Sequence, residues 1–140
     1  MSKIKGECLC GAVSFESDSD PIVTAACHCK DCQKHSGSAF GLYVAVPKGS
    51  LETKGTELKT FEGKGGSGQS QNYFHRTFCG SCGSSIYAAI ETAPDLLFIH
   101  AGTLDDTAWV KPDVQAWTGR QLPCVNIPDG NKFDGNLPTE

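Results

Sequence analysis

The chain has no long apolar run. Its apolar stretches, such as Leu96-Leu97-Phe98-Ile99, are far shorter than the ~20 residues that cross a bilayer. The opening residues, Met1-Ser2-Lys3-Ile4-Lys5-Gly6, carry no apolar segment of the kind a signal peptide needs, so a soluble, cytoplasmic protein with no membrane partner is expected. A basic excess is also missing. Twelve Lys and Arg against sixteen Asp and Glu leave a net charge of −4, which argues against nucleic acid as a partner. The run Gly63-Lys64-Gly65-Gly66-Ser67-Gly68 lacks the Lys-Ser/Thr pair and following helix of a phosphate loop. It reads as a mobile hairpin loop between Leu58–Glu62 and Gln71–Cys79, able to act as a lid. No long amphipathic helix and no internal repeat occur. What remains is short strands with frequent turn signals, hence a single mainly β domain over residues 1–140. Glu7–Glu16 reads as strand, turn, strand about Gly11, and further strands are expected at Ile22–Cys27, Phe40–Val46, Ile86–Glu91 and Leu96–Ala101. One helical turn is expected over Cys29–Ser36, ended by Gly37, and the last forty residues show few periodic segments. With 140 residues and 39% apolar composition, the chain can bury a real core and is not a disordered tail.

Against these absences stand eight cysteines. Seven lie in tight clusters: Cys8 and Cys10; Cys27, Cys29 and Cys32; Cys79 and Cys82. Cys124 is alone. A reducing cytosol disfavours disulfides, and a Cys8–Cys10 bridge needs strained geometry. Clustered thiols suit a soft tetrahedral metal, chiefly zinc. Spacing alone leaves two partitions open. Cys29-x-x-Cys32 with Cys79-x-x-Cys82 makes one closed four-thiolate site and strands three cysteines. Alternatively, Cys8, Cys10, Cys79 and Cys82 close one site, while Cys27, Cys29 and Cys32 form a three-thiolate site with an open fourth position. Structural zinc sites are closed and catalytic ones keep a position free, so only the second partition implies chemistry.

The runs Gly6-Glu7-Cys8-Leu9-Cys10-Gly11-Ala12-Val13, Cys27-His28-Cys29-Lys30-Asp31-Cys32-Gln33-Lys34 and Phe78-Cys79-Gly80-Ser81-Cys82-Gly83 resemble the glutathione-dependent formaldehyde-activating enzyme family, which includes the centromere protein V type domain. The resemblance extends from about Gly6 to Gly135. It implies a β-tent fold of antiparallel sheets with two zinc ions per chain. It also implies the second partition: Cys8, Cys10, Cys79 and Cys82 hold a structural zinc, and Cys27, Cys29 and Cys32 a catalytic one. The implied activity is that of a carbon-sulfur lyase, condensing formaldehyde with glutathione to S-hydroxymethylglutathione. The chain departs from the family pattern where members often carry a histidine and an Ala-Pro-Trp tryptophan. Gln115 and Cys124 stand at those two positions.

Zinc held by three thiolates carries a net charge of about −1, against about +2 with three histidines. It is the weaker Lewis acid, better suited to holding an incoming thiol as thiolate than to making hydroxide. The expected step is attack of that sulfur on the aldehyde carbon. Glutathione's carboxylates call for cations, and Lys30, Lys34, His35, Arg76 and Arg120 are the candidates, each singly more often a solvated charge. His28 is expected to point away from Cys27 and Cys29 into a packing or ligand-orienting role. His75, His100 and Cys124 read as core residues. Trp109, Trp117, Phe40 and Tyr43 do too, with one of them available to wall a pocket. Two alternatives stand beside the leading reading: an enzyme of the same fold using another thiol or electrophile, and a non-catalytic zinc-stapled binding module. Exposed strand edges leave a homodimer open.

Overall fold

The structure is a computed structural model that describes residues 4–64 and 73–138. Its elements are β1 (Ile4–Glu7), β2 (Ser14–Ser17), β3 (Val23–Cys27), α1 (Lys30–Ser36), β4 (Gly41–Pro47), β5 (Leu51–Lys54), β6 (Leu58–Lys64), β7 (Tyr73–Cys79), β8 (Ser85–Ile90), β9 (Leu96–His100), β10 (Val114–Ala116) and β11 (Asn131–Lys132). The fold is mainly β, as expected. The expected glycine loop, over residues 65–72, lies outside the described residues. No helix among the described residues is long and apolar enough to cross a membrane.

The strands form two sheets. A three-stranded antiparallel sheet runs β1-β2-β5. An eight-stranded mixed sheet runs β11-β10-β3-β4-β9-β8-β7-β6, with β10 parallel to both its neighbours. Alternation along β4 gives the large sheet its two faces. Val44 and Val46 point one way and meet Leu97, Ile99 and Ile86, then Ile4, Val13 and Phe15 of the small sheet. This is the main core, and each such side chain contributes about 1.5–3 kcal/mol on full burial. Tyr43 points the other way, toward a second cluster with Cys29 and Cys32. One face of the large sheet is therefore core, and the opposite face carries the chemistry.

The short helix forms where the sequence placed it. Cys29 is its N-cap, with Sγ accepting from the Cys32 N–H at 3.3 Å. Gly37 ends it in the left-handed region, at φ 66°, with its N–H bonded to the Gln33 carbonyl. Three strands were not legible: β5 and β11 are short and largely polar, and β10 is only three residues long. Pairing with distant partners makes them strands, as in the register of Val114 with Ala25 and Ala116 with Cys27.

Candidate metal centres and an adjoining cavity

Cys8 and Cys10 lie just beyond β1 in the small sheet. Cys79 ends β7, and Cys82 lies in the turn before β8 of the large sheet. Packing of the two sheets brings the four sulfurs within 4.8 Å of one another. Sγ of Cys10 is 3.7 Å from that of Cys8 and 3.9 Å from that of Cys79. A tetrahedral zinc with Zn–S of ~2.3 Å sets its sulfurs about 3.8 Å apart, whereas a disulfide needs ~2.05 Å. All eight cysteines are free. The set therefore fits a four-thiolate metal site. Ser84 braces it from the side: its hydroxyl accepts from the Leu9 N–H at 3.0 Å and lies 3.2 Å from Cys82 Sγ. That hydroxyl contact draws the Cys82 thiol down to about 5.

Cys27, Cys29 and Cys32 form the second group, again with their sulfurs within 4.8 Å of one another. The end of β3, the helix cap and the first turn of α1 supply one each. The Tyr43 hydroxyl donates to Cys32 Sγ at 3.1 Å. The Cys27 thiol hydrogen-bonds Cys32 and, with Cys29, Tyr43 and the charge of Arg76, holds Cys32 well below the usual thiol range against its burial. Hydrogen bonding to Cys29, with burial, pushes Cys27 up. Burial also pushes the Tyr43 phenol up, so it keeps its proton and remains a donor. Both cysteine groups can each hold a metal ion.

Behind the triad lies a polar nest under α1. The His100 ring is 4.8 Å from that of Tyr43 and 5.7 Å from that of His35. Burial drives His35 down to about 4 and His100 to about 3, with the Arg76 charge adding to both, so both are neutral at neutral pH. Arg76 is only 4% exposed and stacks 4.0 Å over the Phe74 ring, while both its terminal nitrogens lack a hydrogen-bond partner. A buried unpaired guanidinium is costly unless negative charge stands near. The Cys32 thiolate is such a charge. On the other side, buried His28 points away from the sulfurs, and its Nε2 lies 3.0 Å from Gln115 Oε1. Gln115 Nε2 in turn donates to the carbonyls of Ile127 and Asp129. Gln115 thus secures the C-terminal loop and is not in either sulfur group.

Other residues fall elsewhere than expected. Cys124 is exposed and outside both groups. Trp109 is 41% exposed rather than core. His75 sits at the surface between Glu62 and Glu91, at 3.5 and 3.8 Å. Of the candidate cations, Lys30 and Lys34 are on the exposed side of α1, His35 is half-buried, Arg76 is buried and Arg120 is exposed.

The triad opens into a cavity of about 490 Å³ on the free face of the large sheet. Ala25, Phe74, Ala88 and Phe98 make its floor, and Trp117, Phe133 and Leu137 make a wall. Cys27, Cys29, Cys32 and Tyr43 stand at one end. Among the described residues no Lys, Arg, His, Asp or Glu lines it. Trp117 is one of the four aromatics that the sequence offered as a pocket wall, whereas Phe133 and Leu137 carried no such signal. Trp117 holds that wall in a left-handed conformation, φ 57°, which is rare and costs a non-glycine residue about 1–2 kcal/mol. The N–H of Trp117 bonds to the Gly135 carbonyl, and its ring N–H donates to Asn136 Oδ1 at 2.9 Å.

Gly41 makes the approach of Tyr43 to Cys32 feasible. A Cβ at Gly41 would overlap the Tyr43 ring, which shares its face of β4 and is boxed in by Phe98 and His100. Gly41→Ala is therefore expected to cost about 1–3 kcal/mol of overpacking, or several degrees in Tm. Thermal unfolding followed by circular dichroism checks it, and an unchanged Tm would contradict the placement of Tyr43.

Fold and thiol clusters define a class: small, mainly β proteins with two cysteine groups able to hold metal ions. The description "Glutathione-dependent formaldehyde-activating enzyme" matches residues 3–120, and the chain belongs to that family. It is 26% identical over 127 residues to an uncharacterized lyase of Schizosaccharomyces pombe, covering 91% of this chain and 87% of that protein. It is 25% identical over 133 residues to a Talaromyces marneffei protein provisionally named a glutathione-dependent formaldehyde-activating enzyme, covering 91% of this chain and 67% of that one. A crystal structure of a Rhodobacter sphaeroides protein shares the fold, with a TM-score of 0.57 at 17% identity, over 92% of this chain and 99% of that one.

Proposed function

We propose that the protein is a zinc-dependent carbon-sulfur lyase-type enzyme, cytoplasmic, that condenses formaldehyde or a similar small electrophile with glutathione, the formaldehyde product being S-hydroxymethylglutathione. One observation carries the reading. The three-sulfur group opens on the cavity, and none of the four-sulfur group lines it. In this reading Cys8, Cys10, Cys79 and Cys82 hold a structural zinc, and Cys27, Cys29 and Cys32 hold the catalytic one. Bound there, zinc supplies the means of keeping a thiol deprotonated at neutral pH. The protein's own residues do the rest. Tyr43 fixes the Cys32 sulfur through its hydrogen bond and is the hydroxyl beside the sulfurs in the cavity. The cavity holds thiol and aldehyde side by side, away from bulk water. The new C–S bond forms as the C=O π bond breaks, and the aldehyde oxygen takes the proton the thiol gave up, through the Tyr43 hydroxyl. The buried Arg76 charge opposes the negative charge of the triad.

Zinc per chain, by elemental analysis and native mass, is expected to be near two. Such protein is expected to accelerate formaldehyde consumption by glutathione, followed by proton NMR, above the spontaneous rate. Protein with both sites loaded and no acceleration would overturn the activity.

A further inference from the structure

The cavity is a poor match to the two small polar molecules of the proposed reaction. Its volume of about 490 Å³ corresponds to roughly sixteen water shares at ~30 Å³ each. Formaldehyde fills a small fraction of that. Glutathione has the bulk, but carries two carboxylates and an amine, and no Lys, Arg or His among the described residues lines the space. Lys30 and Lys34 face solvent from α1 instead. Apart from Thr92 and Asn136 the walls beyond the triad are aliphatic and aromatic, with Ala25 and Ala88 keeping the floor low beneath Trp117. Water filling such a space has few polar partners, so an apolar occupant gains by displacing it. The left-handed backbone of Trp117 adds a second indication, because strain of this kind is retained where a side chain must be placed for a task.

We propose that the physiological electrophile is an aldehyde bearing an apolar body, a medium-chain alkyl or aryl group, which lies along the cavity with its carbonyl carbon at the cysteine triad. This rests on the thiol-condensing reading above and names its substrate class. The step balances without oxidant or reductant. The thiol sulfur bonds to the aldehyde carbon, the C=O π pair moves to oxygen, and the thiol proton ends on that oxygen to give a hemithioacetal. The thiol sulfur meets that carbon at the triad, while the charged groups of the thiol molecule stay in water outside the cavity.

The test separates binding from chemistry. A Trp109→Phe background leaves Trp117 as the reporting fluorophore in zinc-loaded protein, because Trp109 is exposed and outside the cavity. Ethanol, butanol and hexanol, which cannot condense, are titrated against it. Affinity is expected to rise about fourfold per methylene, and kcat/KM with one fixed thiol is expected to rise similarly from formaldehyde to hexanal. Ala88→Leu, which fills the floor, is expected to erase the gain for hexanol while leaving two zinc ions bound. A flat alcohol series overturns the proposal, even if formaldehyde is turned over. A steep alcohol series with no aldehyde turnover overturns the aldehyde assignment and, separately, the thiol-condensing reading.

Discussion

Cys29→Ser is expected to remove one of two zinc ions and to lower thiol-dependent turnover by more than about 100-fold. The magnitude follows from scale. Changing a residue that merely orients a metal ligand costs about 10- to 100-fold, and Cys29 is one of three proposed ligands. The substitution is unusually clean, because Cys29 has a second task that serine performs well. Its Sγ caps α1 by accepting from the Cys32 N–H, and serine is among the preferred N-cap residues. The helix should persist, with Cys32 and Tyr43 left in place. The hard hydroxyl cannot stand in for a soft thiolate. Elemental analysis, far-UV circular dichroism and the formaldehyde assay together check it. Retained turnover with one zinc lost would remove Cys29 from the catalytic role. Two zinc ions retained would remove it from the ligand set.

Cys79→Ser is expected to have the largest effect on stability. Cys79 is fully buried at the end of β7, inside the main core. Its group of four is where the small sheet is tied to the large one, because Cys8 and Cys10 come from one and Cys79 and Cys82 from the other. Structural zinc in small domains contributes about 10–16 kcal/mol of apparent binding energy, while a whole domain is stable by only about 5–15 kcal/mol. Losing the ion should leave the variant largely unfolded at 37 °C, and a strong chelator should do the same to the parent protein on longer exposure. Circular dichroism and zinc content provide the check. A folded variant whose Tm lies within a few degrees of the parent would show that the sheets hold together without this site. The two cysteine substitutions thus separate the two clusters: one should empty a site and spare the fold, the other should lose both.

Much of the local structure was legible in the residues. Gly37 marks the end of α1 because a left-handed C-cap favours glycine. The apolar runs around Val44 and Ile99 mark strands in the middle of the large sheet, where both residues are buried in the main core. His28 was legible as a residue turned from the sulfurs, from strand geometry alone. Other placements were not. The depth of Arg76 follows from the pairing of β7 with β6 and β8, which no charge count reveals. Trp117 and Trp109 look alike in sequence, yet one walls the cavity and the other lies at the surface, because the segment from Phe133 to Asn136 folds back over only the first.

The sequence by itself determined that thiol pairs sit at knuckle spacing, that the chain is mainly β, and that soft-metal chemistry is within its reach. Chain-local spacing fixes which sulfurs can share a turn. It does not fix which turns meet. The grouping of Cys8 and Cys10 with Cys79 and Cys82, and the opening of the Cys27, Cys29 and Cys32 group onto a largely apolar cavity, are products of sheet order and register. Contacts between residues about seventy positions apart depend on how two sheets pack, and that is settled by the summed burial of many side chains rather than by any one motif.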